Sequence, residues 1–531
     1  MNIIFLIIAI LPFFYKFSFW LYTIQLKEYR WDRFKEYLGT PQGKSALQNF
    51  WFALEVPLFF LTILILIRPD LFLGIVTLIM FYFLVFQNIF VLGKIFRKKL
   101  IYPKLTSRML ILISCILIGL SIDVYFLSVY FPIWTYSYIM LVLISTPLII
   151  FICNYIISPI VNYKKNKLIK AAIYKSQTIT KPIKIAITGS YGKSSVKEYL
   201  SQILAFDHNI LKTPENINTE LGVSSLILSK LDDKFEYFVA EAGAYKIGEI
   251  KTLGEIINHK YGFLTAIGTQ HLGLFGSIEN TKKGKFEIAK KVVENDGVLY
   301  INWNNENIKD YVITNKLGDL KDLKYIRYGL GDVDLDAKSK IIAIKDGLTE
   351  FIFTYKDIEY NFKTNLIGSH NILNLTGILA FLFDMGFEYE KLRFYLTQLQ
   401  TPKNTLAISE LNSFTIIDDT YNLSEGGLFA GIEVLNTIAK DKNRVLIMDD
   451  ILELGEQSKD VHYSIGKRLA NEKLIDYFIF TGVNYKEDII KGLLENGFKK
   501  DTILRNLDTI PNSSVILLEG RKSRNYLDKL N

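Results

Sequence analysis

Hydrophobicity is spread so unevenly along this chain that it constrains the fold class before any motif is read. Five long apolar stretches crowd into the first 160 residues: Ile3 to Leu26, Phe50 to Ile67, Leu71 to Leu92, Met109 to Phe131 and Ile133 to Ile157. A helix needs roughly 20 residues to cross a bilayer, and each stretch is near that length. The remainder of the 531 residues reads as ordinary soluble α/β sequence. The expected architecture is therefore multi-domain, with an α-helical transmembrane bundle leading into α/β domains. The first stretch is too long and too aromatic for a signal peptide, and no small-residue cleavage site follows it. Arg68, Pro69 and Asp70 mark one tight turn between spans, and Pro132 marks another.

The flanking charges agree on an orientation. Basic residues cluster after the first span (Lys27, Arg30, Arg33, Lys35, Lys44), after the third (Lys94, Arg97, Lys98, Lys99, Lys104, Arg108) and after the fifth (Lys164, Lys165, Lys167, Lys170). The other turns hold only Arg68. By the positive-inside rule the N-terminus lies outside and the large C-terminal part is cytoplasmic, as an odd span count requires. The expected location is thus the inner (cytoplasmic) membrane, with several spans in the lipid bilayer. The charged, aromatic segment Gln25 to Leu38 reads as an interfacial helix. Lys16, Glu55 and Asp123 fall in or near spans, where an ionisable group either faces a bundle interior or pathway, or reaches an interface. The net charge of +8 comes without a long Lys/Arg run, so no nucleic-acid partner is expected. Cys115 and Cys153 both sit in apolar stretches, which argues against a disulfide framework or a thiolate metal site.

After Pro182 the pattern changes. KIAIT reads as a strand, GSYGKSS as a turn, and VKEYLSQIL as a helix. Strand, glycine turn and helix N-terminus together make a phosphate cradle, because backbone N–H groups and the helix dipole point at an anion. Gly189 and Gly192 allow close approach, with Ser190, Tyr191 and Ser195 completing the loop. Lys193 is placed for the β/γ phosphates and Ser194 for Mg²⁺. Two residues separate the glycines, where the general motif has four.

These residues resemble the Mur ligase family, whose phosphate loop has this short TGSxGK(S/T) form. The resemblance continues in order: TPENINTELG (Thr213 to Gly222), AEAGA (Ala240 to Ala244), HLGLFGSIENTKKGKFEIAK (His271 to Lys290), GSHNILN (Gly368 to Asn374), IDDTYN (Ile417 to Asn422) and LELGEQS (Leu452 to Ser458). The last three are similar to the branch that adds D-alanyl-D-alanine to the UDP-N-acetylmuramoyl tripeptide. The resemblance implies an ATP-dependent, ADP-forming ligase of cell-wall peptide synthesis. In such a ligase a carboxylate substrate becomes an acyl phosphate, which an amino-acid or dipeptide donor then attacks. It implies catalytic Lys193, His271 and Lys285, and Mg²⁺ held by Ser194, Glu241, His271 and Lys285. Lys285 would be carbamylated by CO₂, because an ammonium beside a metal would repel it. ATP contacts would come from Gly189 to Ser195, Asn371, Asn374, Asp419, Tyr421 and Asn422, and substrate contacts from Asn216 and Asn218. His370 and His462 alone read as structural.

The implied layout is a transmembrane block at 1–160, a basic linker at 161–182, a central P-loop ATPase domain at 183–400 with an antiparallel edge in 320–366, and a C-terminal Rossmann-like domain at 401–531. There are departures. The membrane block stands where the branch has a soluble UDP-binding domain, which makes a lipid-linked acceptor conceivable. Thr405 stands where Arg is expected, Leu423 to Gly427 (LSEGG) replaces Ala-Asn-Pro, and LLEGRKSR (Leu517 to Arg524) replaces Lys-Gly-Ser-Arg. Two rival readings follow. One is a membrane-anchored poly-γ-glutamate-type ligase. The other is a membrane scaffold or transporter with a degenerate ATPase, against which the intact set of Lys193, Ser194, Glu241, His271 and Lys285 argues.

Overall fold

The computed structural model describes residues 2–314, 322–331, 334–345, 348–402, 405–504 and 509–527. The chain divides into two compact units, Met1–Asn166 and Lys167–Asn531. Part of the expected antiparallel stretch (residues 320, 321, 332, 333, 346 and 347) lies outside the described residues, as do Lys403 and Asn404 of the polar TPKNT segment.

The first unit is helical: α1 (Asn2–Leu26), α2 (Trp31–Gly39), α3 (Pro41–Leu47), α4 (Phe50–Ile67), α5 (Pro69–Phe96), α6 (Ser107–Tyr130) and α7 (Trp134–Thr178). Among the described residues, five helices are long and apolar enough to cross a membrane. The segment expected as one interfacial helix from Gln25 is broken, because Glu28 and Tyr29 adopt left-handed backbone before α2 begins. Local capping explains the next starts: the Asn49 side chain accepts from the N–H of Phe52 at α4, and Thr106 from Met109 at α6. The expected basic linker 161–182 is largely helical. Its residues through Thr178 are the last turns of the 45-residue α7, and the boundary between the units falls inside that helix. Lys16 is turned inward. Its ammonium pairs with Glu55, which is fully buried, and donates to the carbonyl of Leu143 at 3.2 Å, while Gln87 donates to Glu55 at 2.9 Å. Burying one charge alone is prohibitive, so the pair and its amide donor satisfy each other. Asp123 accepts from the Tyr138 hydroxyl at 3.0 Å.

The second unit contains two sheets. The first is built from β1 (Ile183–Thr188), β2 (Ile210–Lys212), β3 (Tyr237–Glu241), β4 (Tyr261–Leu264), β5 (Val298–Asn302), β6 (Tyr325–Leu330), β7 (Ala337–Lys345), β8 (Leu348–Tyr355) and β9 (Ile358–Thr364). Its order is β2-β3-β1-β4-β5-β6-β7-β8-β9, parallel through β7, with β8 and β9 closing it antiparallel. Strands β1, β3 and β4 are buried almost from end to end because helices cover both faces. One face carries α8 (Lys193–Leu204), α15 (Ser369–Asp384) and α16 (Tyr389–Thr397). The other carries α9 (Glu220–Lys230), α10 (Glu249–Ile257), α13 (Ile288–Glu294) and α14 (Glu306–Ile313), with α11 (Leu272–Phe275) and α12 (Ile278–Phe286) preceding α13. Ile169 and Ala172 of α7 pack into this second face. Gly377 lets α15 press onto the ring of Tyr328, where a Cβ would meet ring carbons at 2.9 Å.

The second sheet has order β10-β11-β14-β12-β13. Its strands are β10 (Ala407–Leu411), β11 (Phe414–Asp419), β12 (Arg444–Met448), β13 (Tyr477–Phe480) and β14 (Val515–Glu519), flanked by α17 (Glu425–Ala439), α18 (Ser458–Asn471) and α19 (Lys486–Glu495). Only β10 runs antiparallel. Both sheets thus present the carboxyl ends of parallel strands, where α/β folds place their ligands.

Candidate active site

The phosphate loop is shaped by what lies beneath it. At Gly189 a Cβ would stand 2.1 Å from Thr265 Oγ1 and 2.9 Å from the amide nitrogen of Ala266, so no side chain fits. Gly192 has φ +81°, the left-handed region that favours glycine, and it immediately precedes α8. Thr265, just past β4, clamps the loop: its hydroxyl donates to the carbonyl of Tyr191 at 2.5 Å. The Lys193 ammonium lies back along the loop and donates to the carbonyls of Gly189 at 2.7 Å and Ser190 at 3.1 Å. Burial holds its pKa below the usual lysine value, opposed by the charge of Glu241.

Glu241 ends β3 and is the polar hub. Oε2 accepts from the Ser194 hydroxyl at 2.9 Å and Oε1 from the Asn218 amide at 3.1 Å. The Lys197 ammonium is 3.6 Å from Oε2. The backbone N–H of Glu241 donates to the Thr213 hydroxyl at 3.0 Å. Desolvation would raise this carboxyl, but Lys193, Lys197, Asn218 and Ser194 outweigh it and hold the pKa below normal. Glu241 is therefore an anion at neutral pH, although only 4% of it is exposed.

A cavity of about 160 Å³ opens beside this hub between the two sheets. Ser190, Tyr191, Gly192, Lys193, Ser194, Ser195, Asn374, Asp419, Tyr421 and Asn422 all line it. Gly189 and Asn371 do not. Gly189 lies under the loop, and Asn371 spends its amide accepting from the Tyr199 hydroxyl at 2.9 Å and donating to the Ile367 carbonyl at 2.8 Å. Asn371 is thus a buried strut rather than an exposed ligand group. Thr405, at the position where Arg was expected, also lines the cavity.

Of the four expected metal ligands, Lys285 lies within charge range of both Glu241 and His271. Ser194 and Glu241 meet, whereas no hydrogen bond or ion pair joins His271 or Lys285 to them. Among the described residues no three His, Cys, Asp or Glu side chains converge on one point. His271 instead bonds through Nδ1 to Glu453 of the C-terminal half, whose backbone carbonyl accepts from the N–H of Gly273 at 3.0 Å. Lys285 is 2% exposed, its nearest acceptor being the Ala244 carbonyl at 3.5 Å. Burial pulls its pKa down to about 7, helped by the charge of Lys193 and opposed by Glu249, Glu241 and Glu287. Glu287 accepts from the N–H of Gly248 at 2.7 Å and of Lys251 at 3.0 Å, so it caps α10. Of the two asparagines expected to touch substrate, Asn216 accepts from the Tyr421 hydroxyl at 3.0 Å and Asn218 holds Glu241. His462 donates or accepts only within the backbone, with Ser458 O at 2.6 Å and the Ile451 N–H at 3.1 Å, which is a structural role.

Sequence reasoning missed Lys197, Thr265, Asn302 and Glu453. Lys197 was findable, since it lies one helical turn after Lys193 and so on the same face. Asn302 ends β5 and donates to the Thr265 carbonyl at 2.7 Å. Thr265 and Asn302 leave no local signal, because their importance comes from strand neighbours far away in sequence.

The comparisons with known proteins agree with this geometry. Residues 187–382 match the Mur ligase middle domain. The chain is 30% identical over 388 residues to the UDP-N-acetylmuramoyl-tripeptide–D-alanyl-D-alanine ligase of Rickettsia prowazekii, covering 70% of this chain and 82% of the relative. It is 26% identical over 341 residues to the ligase of the same name from Bacillus subtilis, covering 60% and 72%. A crystal structure of MurF from Acinetobacter baumannii superposes with a TM-score of 0.61 at 25% identity, covering 69% of this chain and 80% of that one. The MurF ligase of Thermotoga maritima in complex with ADP gives 0.58 at 24% identity, covering 69% and 83%, and shares the fold. With a phosphate loop, an anionic strand-end glutamate and a cleft between two sheets already in place, these likenesses settle the classification: the chain belongs to the Mur ligase family.

Proposed function

We propose that this chain is a membrane-anchored, ATP-dependent and ADP-forming amide ligase that joins D-alanyl-D-alanine to a muramoyl tripeptide. The observation that carries the reading is the hub of Ser194, Asn218 and Lys197 around Glu241, set directly against the phosphate loop. The relatives named for that reaction supply the substrate class.

The residues fit the groups such a reaction needs. Mg²⁺ takes hard oxygen ligands and commonly only one or two from protein, the rest coming from phosphates and water. The Ser194 hydroxyl and the Glu241 carboxylate offer that pair, and bound Mg²⁺ would supply charge neutralisation at the phosphates. The loop N–H groups and Lys193 hold and orient the triphosphate, so the γ-phosphorus faces the incoming carboxylate. Transfer yields the acyl phosphate and ADP, and the donor amine then displaces phosphate to form the amide. The two sheets flank the cavity and exclude water, which would otherwise hydrolyse an acyl phosphate. Lys285 fits a carbamate: only an unprotonated amine attacks CO₂, and a buried amine whose pKa lies near neutrality supplies one. As a carbamate it would present oxygens rather than a cation toward the hub.

We place the five long helices in the cytoplasmic membrane with the catalytic unit on the cytoplasmic side. Helix length and composition together with the alternation of basic loops support that placement. The test is ADP release by the full chain in membranes or detergent, given D-alanyl-D-alanine and a muramoyl tripeptide in UDP-linked and lipid-linked forms, with the product weighed by mass spectrometry. A mass gain of one dipeptide supports the reading. ADP release only with glutamate as donor would instead favour a poly-γ-glutamate-type ligase, and no substrate-dependent ADP release at all would sink both.

A further inference from the structure

Two carboxyl groups face each other at the floor of the nucleotide cavity. Asp419 ends β11 and Glu519 ends β14, and the two are register partners on adjacent parallel strands. Asp419 is 7% exposed and lines the cavity, whereas Glu519 is fully buried and does not. The Glu519 carboxyl projects under α17, where a Cβ on Gly431 would stand 2.5 Å from its Oε1, so glycine is what admits it. Among the described residues no donor hydrogen-bonds to either oxygen of Glu519. A buried carboxylate without a donor is far too costly to persist as an anion.

Among the described residues no ion pair reaches either carboxyl, and Lys193 of the phosphate loop lines the same cavity as Asp419 but is turned back onto the carbonyls of Gly189 and Ser190. Asp418 on the same strand accepts from the N–H and hydroxyl of Thr420. Besides its partner, Asp419 has the Leu406 backbone N–H as a donor. On the far side of β14, Asp449 takes Lys522 at 3.0 Å. On α17, Glu433 accepts from the Ser369 hydroxyl at 2.6 Å and Glu425 from that of Thr269 at 3.4 Å. On α15, burial keeps His370 neutral, and on α8 the Tyr199 hydroxyl is engaged with Asn371.

We infer that Glu519 is a positioning residue for the nucleotide: it shares a single proton with Asp419 and so sets the charge that Asp419 presents to the cavity. The inference rests on the reading of that cavity as the ATP site. Two adjacent carboxyls in a dry site cannot both ionise, and the proton that bridges them belongs to the pair. Consistent with this, burial and the charge of Asp418 push Asp419 up to about 7 while the hydrogen bond with Glu519 opposes the rise, and burial and Asp419 push Glu519 well above the usual range. With the proton in place the pair carries one negative charge at most. Once pH rises through the pair's upper titration, two anions stand together beside a bound polyphosphate. Nucleotide affinity therefore falls as pH rises, while the chemical step, which uses other groups, does not follow.

The test is the pH dependence of KM for ATP and of kcat between pH 6 and 9, measured on the full chain. The wild type should hold a constant KM at low pH and then lose affinity by up to about tenfold per pH unit above the inflection, as release of one linked proton requires. Glu519→Gln supplies an amide donor to an ionised Asp419, so its KM should lose the inflection while kcat keeps the wild-type profile. A merely structural Glu519 would instead lower stability and leave the profile where it was. A second measurement needs no variant. Calorimetric titration of ADP at pH 8, in buffers of different ionisation enthalpy, should read net proton uptake by the wild type. An unshifted inflection in Glu519→Gln, or no proton uptake by the wild type, overturns the shared proton. Absence of ATP turnover at every pH would sink the ligase reading as well, whereas turnover with a KM that ignores pH sinks this inference alone.

Discussion

Replacing Asn218 with Ala separates two roles that its position leaves in competition. The sequence motif suggests a substrate contact, but the structure ties the Asn218 amide to Glu241 Oε1 at 3.1 Å, and a Cβ at neighbouring Gly243 would press on the same amide at 3.0 Å. A hydrogen bond to a buried charged group is worth about 1.5–3 kcal/mol. Glu241 would keep the Ser194 hydroxyl and Lys197 but lose the donor that fixes one of its oxygens. The pKa of Glu241 should rise, since Asn218 is among the groups holding it down. At about 1.4 kcal/mol per factor of ten, the expected loss in kcat/KM for ATP is on the order of 10- to 150-fold. It should be partly recovered by raising Mg²⁺, because the defect lies in an oxygen proposed to hold the metal. The assay is coupled ADP release across a Mg²⁺ titration, with circular dichroism to confirm the fold. Activity within twofold of wild type would refute the orienting role. A rise confined to KM for the muramoyl peptide would restore the substrate reading.

Lys193→Ala should abolish ATP-dependent ligation without affecting membrane insertion; full turnover by that variant in purified membranes would remove the phosphate-loop assignment. Lys285→Ala should lose activity that a small added carboxylic acid partly restores, and Lys285→Arg should stay inactive because it keeps its charge and forms no carbamate. Near-normal turnover by Lys285→Arg, or indifference of the wild type to bicarbonate removal, would leave Lys285 a plain buried amine. In oriented membranes, single cysteines introduced at Lys98 and at exposed Lys486 should be labelled only from the cytoplasmic side; labelling of either from outside would overturn the five-span orientation.

What the sequence made legible was local. The apolar stretches, the glycine loop and the strand-end carboxylates are each contained in a few consecutive residues, and periodicity reads them directly. The helix continuing through 161–178 was missed because basic residues there mimic a solvated linker, while Ile169 and Ala172 keep one face packed on the body. The grouping of Ser194 with Glu241 was implied only through resemblance, since the two meet by the register of β1 beside β3. His271 with Glu453, and Asp419 with Glu519, are 182 and 100 residues apart and depend on how the sheets come together. A motif can name such residues but cannot state which partner each one finds. Asn218 and Glu287 show the consequence, since both sit in motifs that suggest ligand contact and both are used to hold other parts in place.

The charge pattern around the hub explains why these supports matter. Lys197 and Lys285 are almost fully buried, Lys193 is enclosed by its own loop, and the anion that acts on all of them is Glu241. Lys193 and Lys197 are held in low dielectric with Glu241 and Glu198 as counter-charges. A nucleotide polyphosphate brings further negative charge to them, and each of these lysines then interacts more strongly than it would at a solvated surface. The same logic assigns opposite tasks to the two ends of the cavity. At the Glu241 end, the buried lysines Lys193 and Lys197 attract the phosphates. At the Asp419 end a carboxyl must be tolerated next to a polyanion, and a proton held in common with Glu519 limits its charge. Binding energy for the nucleotide thus comes from charge complementarity that the fold maintains with Thr213, Asn218, Thr265 and Gly431, none of which needs to touch the reacting atoms.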